Sequence, residues 1–252
     1  MGTVLIFDQD NAIQKILEEG FQEHRNKTGQ TNSVTRVQDA QKFSELVSFV
    51  SLDVIFVEEA VLNGAAEFWW DSFKKKFPRN TAPVFLCGFA TDRKKISELL
   101  NLGFQDYLIK PYDRALIIQR TMTALYGPGS YVGAESNSSV KSGVEKQVYS
   151  MPVKQAVHIA KAAEINELSE FECTINSQNQ LMAGQLYTLY STAFSSEENI
   201  ETSILARCIS SREHPFDHHI YMNEFVFSAV EQTVLKNIRL NLRKIYVDKI
   251  KG

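Results

Sequence analysis

The sequence predicts an α/β fold followed by a β fold: a five-stranded, doubly wound parallel sheet, then a small antiparallel β-barrel with a C-terminal helix. Three observations predict it. Short apolar runs alternate with helical patterns up to about residue 126. A stretch rich in Gly and Ser follows, and strand-like segments without intervening helices come after it. The last segment has apolar residues at steps of three and four, as an amphipathic helix does.

Five β-then-α units make up residues 1–126. The strands are indicated by compact apolar runs, which read TVLIFD, SVTRV, DVIFV, APVFLCG and DYLIK in chain order. Helical patterns such as NAIQKILEEGFQEH and RALIIQRTMTALYG follow them. This alternation predicts a parallel sheet with helices on both faces, whose functional residues lie at the carboxyl ends of the strands. Those ends carry Asp8, Glu58, Gly88 and Lys110.

Residues 127–145 predict a flexible linker, because they are rich in Gly and Ser and almost lack large apolar residues. Residues 146–252 then show strand-like segments with turn residues between them, such as FECTINS, QLYTLYSTAF, TSILARCISS and HIYMNEFVFS. This succession predicts a small antiparallel barrel or sandwich. Near the end, Leu235, Ile238 and Leu242 share one face of the predicted helix.

Composition argues against several classes of protein. The 252 residues carry a formal net charge of −3, which gives no reason to expect nucleic-acid binding. Asp8 comes too early in the chain for a signal peptide, and no apolar run approaches the roughly 20 residues of a membrane span. Three widely spaced cysteines, Cys87, Cys173 and Cys208, indicate buried thiols in a reducing compartment. We therefore expect a soluble, cytoplasmic protein.

The order of the motifs LIFDQD, DVIFVE, PVFLCG and DYLIKP resembles the receiver domain of bacterial response regulators, over residues 1–126. The most specific element is Lys110 followed by Pro111, with the aromatic Tyr107 three residues before the lysine. The resemblance implies a flavodoxin-like fold in which two adjacent acids after the first strand, and an aspartate after the third, hold Mg²⁺. It also implies that a Thr or Ser after the fourth strand and the lysine after the fifth contact the phosphoryl group.

Three of these five positions are altered. Asp8 matches the first acid, but Gln9 replaces the second, Glu58 stands at the phosphorylated aspartate, and Gly88 stands at the hydroxyl. A neutral amide weakens a site for a hard divalent cation, and a longer carboxylate disturbs the in-line geometry of phosphoryl transfer. We expect Asp10 to cap the first helix and not to replace the lost acid. Phosphorylation in the usual way is therefore not expected.

Glu58 has two interpretations. It mimics a phosphorylated aspartate by pairing permanently with Lys110, or it is a solvated acid at a strand end. Neighbouring strand ends make a pair geometrically feasible. An exposed pair contributes at most about 1 kcal/mol, which is too little to fix a conformation. We therefore favour the solvated acid.

In the receiver family, the face formed by the fourth helix, fifth strand and fifth helix is a usual dimer or partner site. A solvated helix face explains the charged residues of this region equally well. In the motif EFWWDSFKKKF, one of Trp69 and Trp70 is expected to point away from the core stripe, since adjacent helical residues point about 100° apart. The charged residues that are candidates for pairs between chains are Arg93, Lys94, Lys95, Asp113, Arg114 and Arg120.

Residues 146–250 resemble, more faintly, the PilZ domain, a small barrel that often binds cyclic di-GMP. The matching run is EINELSEFECTINSQNQLMAGQLYTLY. It follows the PilZ pattern of a DxSxxG turn, a strand, a short turn and another strand. Glu167 fills the Asp position of the turn, Ser169 is kept, and Glu172 replaces the glycine.

The PilZ family also has an RxxxR motif, whose guanidinium groups clamp the phosphates of the ligand. It aligns with Ser142 and Lys146, and the chain has no arginine between Arg120 and Arg207. Seven glutamates and no cation lie between Lys161 and Arg207, whereas a dianionic dinucleotide needs guanidinium contacts and a positive field. Usual binding of cyclic di-GMP is therefore not expected. An atypical or dimeric site would use Arg207, Arg212, Arg239 or Arg243.

Two further segments have competing interpretations. In REHPFDHH, His214, Asp217, His218 and His219 are potential metal ligands, but a surface hairpin explains them better and we predict no metal site. The basic C-terminal helix has the composition to approach an anionic membrane or an acidic partner. Docking on its own barrel or on a second copy is the simpler interpretation.

The sequence as a whole predicts a non-enzymatic bacterial signalling adaptor or scaffold without a cofactor, which binds other proteins of a signalling or motility system. A homodimer through the receiver face or the C-terminal helix is compatible with it. The alternatives are a cyclic di-GMP-responsive effector with an atypical site and a phosphorylation-controlled response regulator. An enzyme is not expected, because no paired nucleophile and base, P-loop or closed metal-ligand set occurs.

Overall fold

Two compact units make up the chain, residues 1–142 and 143–252. The structure is a computed structural model that describes residues 2–62, 64–127, 155–159, 161–197 and 200–251. Ser142 and Lys146, which align with the PilZ arginines, lie outside these ranges, as does the predicted linker after Gly127.

The N-terminal unit contains a five-stranded parallel sheet with the strand order β2-β1-β3-β4-β5. This is the order of flavodoxin-like doubly wound folds, in which ligands bind at the carboxyl ends of the strands beside the switch point between β1 and β3. The predicted parallel sheet is therefore confirmed. The strands are β1 Gly2–Phe7, β2 Asn32–Val37, β3 Val54–Glu58, β4 Val84–Gly88 and β5 Asp106–Ile109.

Helices follow each strand of this sheet, and their ends carry recognisable capping residues. Asp39, Asp92 and Asp113 each accept a backbone hydrogen bond at the start of a helix, while Gly29 and Gly103 end two helices in the left-handed conformation. The helices are α1 Ala12–Thr28, α2 Ala40–Phe49, α3 Ala66–Lys76, α4 Arg93–Leu102 and α5 Arg114–Tyr126, with a 3₁₀ helix at Glu59–Leu62.

Aromatic residues of α3 fill the space beside the sheet. Trp70 is buried, and its ring lies 4.4 Å from that of Phe104. Trp69 is half-buried and stacks on Phe73 with ring centroids 5.0 Å apart. Trp69 is thus the tryptophan that leaves the core stripe, but it is packed, and the exposed aromatic residue of α3 is Phe68.

Arg120 is buried, so its assignment to an exposed face was wrong. Its Nε lies 3.0 Å from Asp106 Oδ2, and both side chains are 6% exposed. The pair forms because α5 passes over the start of β5, a contact that the helical pattern alone does not reveal. Of the other charges considered for contacts between chains, Lys95, Asp113 and Arg114 also make contacts within this unit.

The C-terminal unit is a closed antiparallel barrel with the strand order β10-β11-β8-β7-β6-β9. An antiparallel barrel therefore follows the parallel sheet, as predicted. A 3₁₀ helix at Thr192–Phe194 follows β9. The strands are β6 Gln155–Ile159, β7 Lys161–Leu168, β8 Glu172–Ser177, β9 Leu186–Ser191, β10 Thr202–His214 and β11 Asp217–Ser228.

Helix α6, Gln232–Lys251, packs on this barrel. Val234, Leu235 and Ile238 are buried, and Asn241 Nδ2 donates to the backbone oxygen of Ser195 at 2.7 Å. The first part of the helix thus docks on its own barrel. None of the helices in the described ranges is both long and apolar enough to cross a membrane.

The REHPFDHH segment is a surface hairpin, in which Pro215 and Phe216 connect β10 to β11. Phe216 is 92% exposed. His218 Nδ1 lies 3.4 Å from Glu213 Oε2, and both side chains are largely exposed. The segment is thus the surface hairpin that the sequence predicts.

The buried Arg120–Asp106 pair should be important for stability. We expect Arg120→Met to lower the free energy of unfolding by about 3–5 kcal/mol, because it removes the guanidinium that lies beside a buried carboxylate. Both tryptophans lie in the N-terminal unit, so urea unfolding followed by tryptophan fluorescence measures this effect. Arg114→Met, which removes a half-exposed pair with Glu23, should cost less than about 1 kcal/mol. Equal effects would contradict the prediction.

Candidate functional site

Four charged side chains meet where β1, β3 and β5 end: Asp8, Asp10, Glu58 and Lys110. Asp8 directly follows β1, Glu58 is the last residue of β3, and Lys110 follows β5. The carboxyl ends of parallel strands share one edge of a sheet, so the strand order brings these side chains together. We call them the acid–lysine cluster.

Lys110 lies at the centre of the cluster. Its Nζ is 2.5 Å from Glu58 Oε1, 2.8 Å from Asp10 Oδ2 and 3.9 Å from Asp8 Oδ2. The side chains of Lys110 and Glu58 are 7% and 10% exposed. The interpretation of Glu58 as a solvated acid is therefore wrong: it is buried and paired. The limit of about 1 kcal/mol on the contribution of an ion pair to stability holds for exposed pairs. It does not apply to this buried pair.

Asp10 joins the cluster, which the sequence analysis did not expect. Its Oδ1 accepts a hydrogen bond from Ala12 N at 2.8 Å, as a capping residue does, while its Oδ2 pairs with Lys110. The residue directly before α1 is Asn11, whose side chain makes no capping hydrogen bond. The signal in the sequence was an acid one position later than in the receiver pattern.

Gln9 contributes its backbone to the cluster and directs its side chain elsewhere. Its backbone N donates to Glu58 Oε2 at 3.2 Å, whereas its side-chain Nε2 donates to the backbone oxygen of Gln38 at 3.3 Å. Glu58 is thus held by an amide on one oxygen and by an ammonium group on the other.

Burial and crowding of like charges change the pKa values in the cluster. Burial, with a contribution from the contact with Glu58, raises the pKa of the Asp8 carboxyl from 3.8 to about 7. Burial acts in the same direction on Glu58, but hydrogen bonds from Lys110, Asp8 and Gln9 outweigh it and lower the pKa of Glu58. For Lys110, the bonds to Asp10 and Glu58 outweigh burial and raise the pKa. The cluster is therefore an ionised glutamate–lysine pair beside an aspartate whose pKa is raised towards neutral pH.

Lys110 would compete with a divalent cation for the carboxylates of this cluster. Within the described ranges, Asp8, Asp10 and Glu58 are the only group of three potential metal ligands whose ligand atoms lie within 4.8 Å of one another. Carboxylate oxygens suit Mg²⁺, the ion implied by the resemblance to receivers. However, the ammonium of Lys110 already lies among these oxygens, and it would repel a second cation.

Gly88, the last residue of β4, lies beside the cluster and accepts a hydrogen bond from Lys110 N at 2.7 Å, and Tyr107 is the second residue of the neighbouring strand β5. The Tyr107 ring is 1% exposed, and its hydroxyl donates to Glu59 Oε2 at 2.5 Å. A Cβ on residue 88 would overlap that hydroxyl and lie 2.9 Å from Glu59 Oε2. The space of the expected Thr or Ser side chain is therefore filled by Tyr107 and Glu59.

In the barrel, Ser169 organises the turn between β7 and β8. Its Oγ accepts hydrogen bonds from Phe171 N at 3.3 Å and Glu172 N at 3.1 Å. Glu172 begins β8, and Glu167 is exposed on β7. These hydrogen bonds lie within the turn, and acidic residues occupy both of its altered positions.

Three arginines considered for an atypical site have partners inside the barrel unit. Arg207 Nη1 donates to the backbone oxygen of Gly184 at 2.9 Å. The other two make ion pairs: Arg212 Nη2 lies 2.7 Å from Glu224 Oε1, and Arg239 Nε lies 2.8 Å from Glu170 Oε2. Each guanidinium is thus engaged with a group of the same unit.

Comparison with known proteins finds receiver domains among solved structures. A Thermotoga maritima response regulator is 15% identical, with a TM-score of 0.41, over 49% of this chain and 97% of that one. The N-terminal receiver domain of a Bacteroides fragilis response regulator is 18% identical, with a TM-score of 0.40, over 49% and 96%. The corresponding values for a Francisella receiver domain are 23%, 0.40, 49% and 96%. Neither a protein-family model nor a curated protein matches the chain. The flavodoxin-like fold is assigned here from the strand order.

Removing the central ammonium should create a cation site. We expect Lys110→Met to be stabilised by about 10 mM MgCl₂ more than the wild type, because a ligand that binds the folded state raises the midpoint of unfolding. Thermal unfolding followed by tryptophan fluorescence, with and without MgCl₂, measures the shift. Lys94→Met, which removes an exposed lysine of α4, should behave like the wild type. An equal shift in both variants would show that Lys110 does not exclude the ion.

Asp8 should make stability depend on pH. Between pH 3.8 and about 7 the folded protein keeps a proton that the unfolded chain has lost, so this contribution to the free energy of unfolding falls as pH rises. Asp8→Asn removes the contribution, and its stability should decline less than that of the wild type from about pH 5 to pH 8. Urea unfolding across this range tests it, with Asp71→Asn, an exposed aspartate of α3, as the control. Parallel pH profiles for all three proteins would contradict the assignment.

Proposed function

We propose that the chain is a non-enzymatic adaptor of bacterial signal transduction that acts by binding other proteins. The acid–lysine cluster is the observation that supports it best. At the strand ends where a receiver domain holds Mg²⁺ and a phosphoryl group, this protein places its own ammonium group between its own carboxylates. An internally paired pocket of this kind suits a domain retained for its surfaces.

The contacts of Glu58 argue against phosphorylation in the usual way. One carboxylate oxygen accepts from Lys110 and the other from Gln9 N, and the side chain is 10% exposed. Phosphoryl transfer needs a nucleophile in line with the donor. An incoming phosphoryl donor would first have to break a buried ion pair.

For the barrel, we propose a PilZ-like module that does not bind cyclic di-GMP in the usual way. The closed antiparallel barrel, the following helix and the turn organised by Ser169 support the comparison with PilZ domains. The negative charge of Glu167 and Glu172 at that turn opposes a dianionic ligand. Arg239, a candidate cation on α6, is paired with Glu170.

Exposed apolar side chains on both units support a protein-binding function. Large exposed aromatic residues are typical anchors of protein interfaces. The face of α4, β5 and α5 and the helix α6 stay the candidate surfaces for a homodimer or another partner. The exposed apolar residues include Phe49, Phe68 and Phe89 in the N-terminal unit, and Met182 and Phe216 in the barrel unit.

Two measurements on the full chain test the proposed function. After incubation with acetyl phosphate and Mg²⁺, the intact mass should not increase by a phosphoryl group, because Glu58 replaces the phosphorylated aspartate and both of its oxygens are hydrogen-bonded. Calorimetric titration with cyclic di-GMP should give no binding heat up to about 100 μM ligand, since a weak site would need a Kd near or above that value. A phosphorylated Asp8, Asp10 or Glu58 would favour a phosphorylation-controlled regulator. Binding heat with a micromolar Kd would favour a cyclic di-GMP effector.

A positive test uses a partner captured by cross-linking in the native host and then purified. The adaptor should bind this protein directly, and neither acetyl phosphate nor cyclic di-GMP should change the affinity. A tenfold change in Kd corresponds to about 1.4 kcal/mol, which calorimetry resolves. A change of that size with either compound would contradict an adaptor that works without them.

A further inference from the structure

Consecutive glutamates end β3 and begin the 3₁₀ helix, and they serve different contacts. Glu58 pairs with Lys110 in the acid–lysine cluster. The carboxylate of Glu59 has different partners: it binds the hydroxyl of Tyr107 and the ammonium of Lys95. The sequence alone predicts no function for Glu59.

Tyr107 connects three segments through its hydroxyl group. It donates to Glu59 Oε2 at 2.5 Å and accepts from the backbone N of Ala90 at 3.0 Å. Ala90 lies in the turn between β4 and α4, and Lys95, the second partner of Glu59, lies in the first turns of α4. The Tyr107 hydroxyl therefore links the residue after β3 to the loop before α4, and Glu59 extends this link to Lys95 in α4.

Gly88 is required by this arrangement. A Cβ at residue 88 would overlap the Tyr107 hydroxyl and would also crowd Glu59, whose Cβ would lie 3.2 Å away. Any side chain at residue 88 and the observed position of the Tyr107 ring therefore exclude each other. The absence of a side chain here creates the space that the hydroxyl and the carboxylate fill.

We propose that Gly88, Tyr107 and Glu59 form a clamp that holds the β4–α4 turn and the start of α4 in one position without any bound group. The clamp shares no residue with the acid–lysine cluster. Lys110 N donates to Gly88 O at 2.7 Å, so the clamp and the cluster are adjacent. In this arrangement the clamp, and not the occupant of the cluster, sets the position of α4, and the α4 face is presented to partners continuously. This inference rests on the proposed function, since it explains how an adaptor surface is kept ready without a signal.

Hydrogen exchange of the Ala90 amide tests the clamp directly. In the full chain, Tyr107→Phe should speed exchange at Ala90 by about tenfold or more, because it removes the acceptor of that amide. Amides of β1 should change much less. Tyr126→Phe is the matched control: it removes a hydroxyl bonded to Asn32 at the start of β2, and it should leave Ala90 unchanged. Equal exchange at Ala90 in Tyr107→Phe and the wild type would overturn the proposal.

A rescue experiment tests the steric part. Gly88→Ala alone should lower the thermal unfolding midpoint and speed exchange at Ala90, because the ring of Tyr107 must move. Combined with Tyr107→Phe, the same substitution should cost clearly less, since the overlapping oxygen is gone. Additive effects of the two substitutions would show that no such exclusion exists.

Independence from the cluster gives an outcome that separates this inference from the proposed function. Addition of beryllofluoride and Mg²⁺ to the wild type should leave exchange at residues 89–95 unchanged. If acetyl phosphate modified the protein while this exchange stayed constant, the adaptor function would fail and the clamp would stand. If beryllofluoride altered this exchange, the clamp would fail.

Discussion

The N-terminal unit depends on one ammonium group placed among three carboxylates. A parallel sheet with this strand order brings the ends of β1, β3 and β5 together, so the carboxylates of Asp8, Asp10 and Glu58 lie close to one another. Lys110 offsets part of their repulsion, and burial raises the pKa of Asp8, which disfavours a further negative charge in the cluster. The ammonium of Lys110 also lies 5.5 Å from the centre of the Phe89 ring and 5.6 Å from that of Tyr112. These rings limit access of water and strengthen the ion pairs.

The architecture could be predicted because it is encoded locally. Strands and helices follow from the spacing of apolar residues, and the change from β-then-α units to strands alone is visible without any contact information. The meeting of Glu58 with Lys110 also follows from strand order. The burial of that pair does not, because it depends on rings and backbone contributed from several loops. Asp10 shows the same limit: its oxygens serve both the helix start and Lys110.

Charged residues were the least predictable part of the fold. Arg120 was expected on an exposed face, either solvated or paired with another chain. Its partner Asp106 comes from another element of the same unit, so only the tertiary structure reveals that the pair is buried. In the barrel, the acidic turn was recognised from sequence, whereas the pairing of Glu170 with Arg239 depends on where α6 docks. Residues whose partners are distant in sequence therefore define much of what the structure adds.

The exclusion between a side chain at residue 88 and the inward Tyr107 ring also limits how this protein can change. A chain that acquired a hydroxyl at residue 88 would gain nothing until the ring had moved, and would be destabilised meanwhile. A route towards a phosphate-responsive domain would thus have to change Tyr107 or Glu59 before residue 88. The order of substitutions is constrained by packing, and a hydroxyl at residue 88 alone does not open this route.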